Sequence, residues 1–193
     1  FVAKIMPLIL IAYTAFIPYM APPSAKMFGL MTLEPFLETM DWDLVFRGMR
    51  NTAILVITVP LATLVVAFAV SWLIVRSRSK ARYLLEFGAF LPHALPEVIL
   101  AISALLLALF VMKDIVPLYG SLTLIAIVYV ITRISFATRA INSALLQIHK
   151  ELEEAAHSAG LSAVRTSWRI LVPLLRPTLM SVWIWSAILV CKG

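Results

Sequence analysis

Charge is scarce in this chain of 193 residues: Asp, Glu, Lys and Arg together make up 13% of it, against 62% hydrophobic residues. Soluble domains carry about 25% charged residues, so the composition excludes an ordinary soluble domain and predicts a membrane protein. The single cysteine, Cys191, excludes an internal disulfide and a cysteine-rich metal site. The sequence also has no glycine-rich phosphate loop, so we predict that the chain neither hydrolyses ATP itself nor carries a cofactor.

Long apolar runs are what the chain has in place of charge. About five of them approach the roughly 20 residues that a membrane-spanning helix needs. They cover about residues 5–20, 52–75, 84–111, 121–138 and 174–190. The runs are continuous and do not alternate between apolar and polar residues, which favours helices over strands. The predicted fold is an all-α integral membrane protein, with a first helix and an external connection in residues 1–51 and a core in residues 52–193.

The positive charges predict the orientation of these helices. The second run is followed by Arg76, Arg78, Lys80 and Arg82, with no acidic residue among them. Short basic loops stay on the cytoplasmic side of a membrane. Alternating the spans from this point places residues 139–176 in the cytoplasm as well. The lipid bilayer is therefore a predicted partner, and we assign the net charge of +6 to membrane orientation rather than to nucleic acid.

Residues 147–177 form the longest stretch that its composition keeps out of lipid. Apolar residues recur there at helical spacing, at Ile148, Leu152, Ala155 or Ala156, and Ala159. Gly160 then ends the pattern, and glycine is the residue that takes the left-handed conformation after a helix. Ser162 can cap a second helix, which we expect Pro173 to stop at Val172. The prediction is two short helices joined at Gly160, where a positive φ is expected.

This stretch resembles the EAA loop of bacterial ABC importer permeases. The resemblance rests on six positions at the family's spacing, which are Glu154, Ala155, Ala156, Gly160, Ile170 and Pro173. Val172 departs from the leucine that usually precedes the proline. The flanking segments ALLQIHKELEEAA and RILVPLLRP look most like the ferric-iron, polyamine and phosphonate branch of the family.

The resemblance implies a fold, a function and a set of partners. The fold is a MetI-like core of six transmembrane helices, of which we expect about five here, so that the chain is a fragment of a longer permease. The implied function is to form the solute pathway of an ATP-driven importer in the bacterial cytoplasmic membrane. ATPase subunits dock on the EAA loop in that family, and a second permease half and an external solute-binding protein complete the assembly. The chain itself is then not an enzyme.

The third apolar run contains the interruption LPHALPE, in which Pro92 and Pro96 are four residues apart, as are His93 and Glu97. A bent helix is the leading interpretation, because the carbonyl groups that prolines free need other partners. Ionisable groups inside a bilayer are costly and often mark functional sites. His93 and Glu97 therefore either line the solute pathway or form a buried pair. A third alternative pairs them with Arg133, which we otherwise place near the cytoplasmic end of the fourth helix, with its head group reaching the interface.

Two other classes of function fit part of the sequence. A secondary transporter driven by an ion gradient would use His93 and Glu97 as ion sites, but it leaves the polar loop unexplained. A DNA-binding helix-turn-helix would use Arg165 and Arg169, but the next apolar run tethers this segment to the membrane. We therefore prefer the permease and exclude nucleic acid as a partner.

Overall fold

A computed structural model describes residues 2–17, 19, 22–24, 29–34, 37, 40–77, 80–113, 115–116 and 118–192. Within these ranges the regular elements are helical, which confirms the predicted all-α class. The helices are α1 (Val2–Ala15), α2 (Trp42–Arg76), α3 (Ala81–Phe90), α4 (Glu97–Leu106), α5 (Leu122–Gln147), α6 (Lys150–Ser158), α7 (Ala163–Thr166) and α8 (Val172–Lys192). A 3-10 turn at Leu91–Ala94 and π turns at Leu107–Val111 and Ser167–Leu171 adjoin them.

Three stretches of the described chain are long and apolar enough to cross a membrane: Trp42–Arg76, Leu122–Gln147 and Ala163–Lys192. A fourth crossing results if the segments Ala81–Ala94 and Glu97–Val111, which meet at 103°, form one span. These correspond to the last four predicted runs. The first run corresponds to α1, which has only 14 residues. At 1.5 Å per residue that is about 21 Å, less than the roughly 30 Å of a bilayer core.

The chain divides into two compact units, residues 1–50 and 51–193, with the boundary inside α2. In the first unit α1 ends at Ala15, where the Phe16 amide donates a hydrogen bond to the Tyr13 carbonyl. Tyr13 and Ile17 are buried, and the Thr32 amide donates to the Phe16 carbonyl at 3.0 Å. Because the backbone turns here, the span predicted over residues 5–20 is too long. Residues 18 and 20 of that span lie outside the described ranges.

The core of the second unit lies where α2, α5 and the helix that ends in α8 pack together. It is formed by the buried residues Ala67, Ala137, Ile141, Leu145, Leu171, Leu175 and Val182. The two alanines of this set lie on α2 and α5 and let these helices approach closely. Between the same helices the Ser71 hydroxyl donates to the Thr138 carbonyl at 3.2 Å. The core thus holds the carboxyl ends of α2 and α5, which are predicted to face the cytoplasm, close to the loop that begins after α5.

α5 is longer than predicted and continues to Gln147 instead of ending near Thr138. The sequence from 122 to 147 contains no glycine or proline, so nothing in it breaks the backbone hydrogen bonds. Ile141 and Leu145 are four residues apart and both buried, so the core-facing stripe also continues. Arg133 consequently lies in the middle of α5, and the prediction that it lies near a helix end is wrong.

Pro173 does not stop the helix before it, contrary to the prediction. The chain is helical from Ala163 to Lys192 and passes through the π turn Ser167–Leu171 just before the proline. Such wider turns give new partners to backbone groups that a proline leaves without a hydrogen bond. The second short helix is therefore the first part of the last span.

Candidate functional site

The turn at Gly160 ends α6 through two backbone hydrogen bonds. The Leu161 amide donates to the Ala156 carbonyl at 3.0 Å, and the Gly160 amide donates to the His157 carbonyl at 2.9 Å. This pair of bonds is the Schellman motif, which requires a left-handed residue after the helix. Gly160 has a φ of +82°, which confirms the predicted conformation. A Cβ atom built at Gly160 meets nothing within 4 Å. Glycine is therefore needed here for its backbone conformation, and not because a side chain would collide with neighbouring atoms.

The helix after this turn begins as the sequence predicts. Ser162 is the N-cap of α7, with an extended backbone, and its hydroxyl accepts a hydrogen bond from the Arg165 amide at 3.5 Å. A serine at this position satisfies one of the amides that a helix start leaves without a partner. The backbone freedom of Gly160 and the hydroxyl of Ser162 therefore fix the two sides of the junction between α6 and α7.

α6 is a short helix with one side toward the protein. It has nine residues, and Ala156 is its buried residue. Glu154, Ala155 and Gly160 are exposed. Helices this short are marginal in water on their own, so contacts with the rest of the protein must hold α6 in place.

Arg76, the last residue of α2, provides such a contact, and it is the residue that sequence reasoning missed. Its Nε lies 2.7 Å from Glu153 Oε1, an ion pair by distance although the N–H does not point at that oxygen. Its Nη2 donates to the Ile148 carbonyl at 3.0 Å and to the Leu145 carbonyl at 3.4 Å. Both side chains of the ion pair are largely buried, with 9% and 13% exposure. In the sequence Arg76 is only one member of a basic run, so no local signal distinguishes it; Arg78 of that run lies outside the described residues.

The motif residues themselves face different ways. Within the described part of the chain, the exposed Glu154 has no ion pair, so the one-turn pairing with Lys150 that its spacing allows is not formed. Ile170 is half-buried in the π turn and Pro173 is exposed. Three larger apolar side chains of this region are also exposed: Leu152 at 48%, Val164 at 67% and Trp168 at 69%. The loop therefore presents both a carboxylate and apolar surface to its surroundings.

The interruption LPHALPE breaks the third run at Leu95 and Pro96, where both backbones leave the helical conformation. Pro92 and His93 lie in the 3-10 turn before the break, and Glu97 begins α4 after it. Since no continuous helix joins them, the four-residue spacing does not place His93 beside Glu97. Both side chains are exposed, and the contacts of the described residues include none between them.

Glu97 instead pairs with Arg133 of α5, the third of the predicted alternatives. Glu97 Oε1 lies 2.6 Å from Arg133 Nη1, and the Arg133 guanidinium lies 5.9 Å from the centre of the Tyr129 ring. These groups line a groove between α4 and α5 that is otherwise mainly apolar, with Leu105 and Leu124 among its lining residues. The structure therefore brings together Glu97 and Arg133 and separates them from the loop of residues 147–177.

Comparison with known proteins finds a family that matches most of the chain. A family model described as binding-protein-dependent transport system inner membrane component matches residues 61–193. The chain is 31% identical over 134 residues to the probable sulfate transport system permease protein cysT of Chlorokybus atmophyticus, covering 62% of this chain and 46% of the relative. It is 26% identical over 151 residues to the diacetylchitobiose uptake system permease protein DasC of Streptomyces coelicolor, covering 78% and 53%. It is 31% identical over 119 residues to the ferric transport system permease protein FbpB of Actinobacillus pleuropneumoniae, covering 61% and 17%. The chain thus spans about half the length, or less, of these relatives.

Proposed function

Because the chain belongs to the family of binding-protein-dependent transport system inner membrane components, we propose that it is a permease subunit of an ATP-driven ABC importer and is coupled to a separate ATPase by residues 147–177. Membership of this family agrees with the family that the sequence analysis identified. The proposed assembly contains two ATPase subunits, a second permease half and an external solute-binding protein, in the bacterial cytoplasmic membrane. The chain itself performs no covalent chemistry in this scheme.

The exposed side of the loop is the observation that carries the coupling proposal. Glu154 is exposed and has no ion pair among the described residues, and Gly160 has open space around its Cα. Leu152 adds exposed apolar area on α6, which lies outside the candidate membrane spans. A protein-binding surface combines exposed apolar side chains with charges at its rim, and the exposed side of α6 offers both.

In the proposed mechanism ATP binding closes the two ATPases, and the loops that are docked on them move with them. The solute pathway then closes to one side of the membrane and opens to the other. ATP can drive this change only if the ATPases bind the two permease conformations with different affinity. The relatives are named for sulfate, diacetylchitobiose and ferric transport, and these solutes differ chemically from one another. We therefore propose that the binding protein determines which solute is transported.

The ion-gradient alternative receives less support from the geometry. Its two suggested ion sites, His93 and Glu97, do not form a common site, and Glu97 is already paired with Arg133. A proton or cation bound at Glu97 would have to displace that arginine.

The test of the coupling proposal is Gly160→Asp in the full-length protein, with Gly160→Asn as the matched control. Asn and Asp have nearly the same size and both tolerate the left-handed conformation better than other residues. Gly160→Asp adds a negative charge six positions after Glu154, whereas Gly160→Asn does not. We expect Gly160→Asp to reach the membrane at near-normal levels and to lose most transport, with weaker ATPase association, while Gly160→Asn keeps a large part of both.

The measurements are copurification of an ATPase with the permease, followed by uptake and ATP hydrolysis in reconstituted vesicles. Glu154→Lys should act in the same direction as Gly160→Asp and more weakly, because it changes the surface without disturbing the turn. Normal uptake and unchanged ATPase stimulation in the Gly160→Asp protein would overturn the docking role of the loop.

A further inference from the structure

Arg76 is a charged side chain that is 9% exposed, and a charge this buried must be compensated by partners. Its partners lie on two neighbouring segments. The carbonyls of Leu145 and Ile148 belong to the carboxyl end of α5, and Glu153 belongs to α6. One side chain from the end of α2 therefore contacts both the end of α5 and the short helix of the loop.

The chemistry of these partners fits an arginine. The last carbonyls of a helix lack partners within it, and the carboxyl end of the helix dipole is negative, so a cation is stabilised there. The planar guanidinium presents five N–H donors in a fixed fork that can span acceptors on separate segments, whereas the ammonium group of a lysine is a compact point charge with three donors close together. Arg76 thus caps α5 and pairs with α6 at the same time.

From this arrangement we infer that Arg76 is a positioning residue that joins α6 to the ends of α2 and α5, so that a displacement of α6 moves these two spanning helices. The inference deepens the proposed function and rests on it, since the ATPase is the source of the displacement. Glu153 and Glu154 then have separate tasks despite being neighbours. Glu153 holds α6 to its own chain, and the exposed Glu154 remains available to the ATPase.

Hydrogen exchange of the α6 amides in the purified full-length protein tests the attachment directly. The variants are Arg76→Gln, Arg76→Lys and Glu153→Gln, and the control is Glu151→Gln, which removes an exposed carboxylate from the same helix. Because α6 is too short to persist without its contacts, we expect Arg76→Gln to accelerate exchange in α6 by about tenfold or more, as hydrogen bonds to charged groups are lost. Arg76→Lys and Glu153→Gln should have intermediate effects, and Glu151→Gln should have none. Unchanged exchange in Arg76→Gln would overturn the inference.

Transport measured in the same variants tests the transmission of movement. We expect Arg76→Gln to bind the ATPase but to take up several-fold less solute per ATP hydrolysed. Glu154→Gln should show the reverse pattern, with weaker ATPase association and normal exchange in α6. If Arg76→Gln accelerates exchange and leaves the ratio of uptake to hydrolysis unchanged, the transmission role is wrong.

Two controls keep these outcomes distinct. Arg76→Gln leaves Glu153 without its counter-charge, and this variant can therefore yield little folded protein. In that case the double variant Arg76→Gln/Glu153→Gln replaces it in the same measurements, because it has no unpaired carboxylate. If no ATPase copurifies with the unaltered protein, the proposed function fails, whereas the exchange experiment still decides whether Arg76 attaches α6.

Discussion

Glu97 and Arg133 form an ion pair with a distance of 2.6 Å between Oε1 and Nη1, and the two side chains differ in their dependence on it. The Glu97 side chain is 64% exposed, whereas that of Arg133 is 13% exposed. The Nε atom of Arg133 is buried and has no hydrogen-bond partner. Arg133 therefore relies on Glu97 for compensation of its charge more than Glu97 relies on Arg133. The pair connects the start of α4, just after the break in the third run, to the middle of α5.

Removing the carboxylate should destabilise the protein. We expect Glu97→Gln to lower the free energy of unfolding by about 1–2 kcal/mol, between the values typical of exposed pairs and of buried pairs that lose one partner. The double variant Glu97→Gln/Arg133→Met should recover much of the loss, because no buried charge remains. Thermal unfolding in detergent is the measurement. A Glu97→Gln protein that is as stable as the unaltered chain but does not transport would instead assign Glu97 to the solute pathway.

His93 should be dispensable for both stability and coupling. It is exposed in the 3-10 turn and has no contact with Glu97, so we expect His93→Gln to change stability by no more than about 0.5 kcal/mol. ATP-driven uptake and its pH profile should be unchanged as well. Uptake in vesicles with and without an imposed proton gradient checks this, and loss of gradient-driven uptake in His93→Gln would favour a secondary transporter.

The orientation of the loops can be tested with single cysteines in a Cys191→Ser background. We expect Lys80→Cys and Ser158→Cys to resist an impermeant thiol reagent added outside intact cells, because basic loops stay in the cytoplasm. Tyr119→Cys, in the turn before α5, should react. Labelling of Tyr119→Cys only after the cells are opened would mean that the bent pair Ala81–Ala94 and Glu97–Val111 returns to the side from which it entered.

The contact between α5 and the core predicts a difference between two neighbouring leucines. Leu145 is fully buried, while Leu146 is 71% exposed. We expect Leu145→Ala to cost about 2–4 kcal/mol, since it removes buried methyl groups and leaves a cavity, and Leu146→Ala to cost well under 1 kcal/mol. Thermal unfolding of the two variants side by side measures the difference. Equal destabilisation would contradict the packing of α5 against α2 and α8.

The backbone conformation of the loop is encoded locally. Gly160 and Ser162 act on hydrogen bonds within a few residues of themselves, so their residue types alone predict the left-handed turn and the helix cap that the structure contains. The positions of the last four apolar runs are predictable for the same reason, because the hydrophobicity of a continuous segment does not depend on its neighbours in space. The ends of these runs are less predictable. α5 continues past Arg139 with its buried residues Ile141 and Leu145 packed against other helices, and this packing is a contact between separate parts of the chain.

Sequence alone thus determined the helical class, the membrane location of the apolar runs and the junction at Gly160, because each follows from the chemistry of adjacent residues. The tertiary structure decided which charges meet. Arg76 is 77 positions before Glu153, and Glu97 is 36 positions before Arg133. The two partners of each pair lie on different helices, so the repeat of a single helix does not reveal either pair. Each pair exists because helix packing brings two distant turns together, and in each pair the arginine lies where water is largely excluded. In such surroundings a charge without its partner is costly, so the packing of the helices selects the partner.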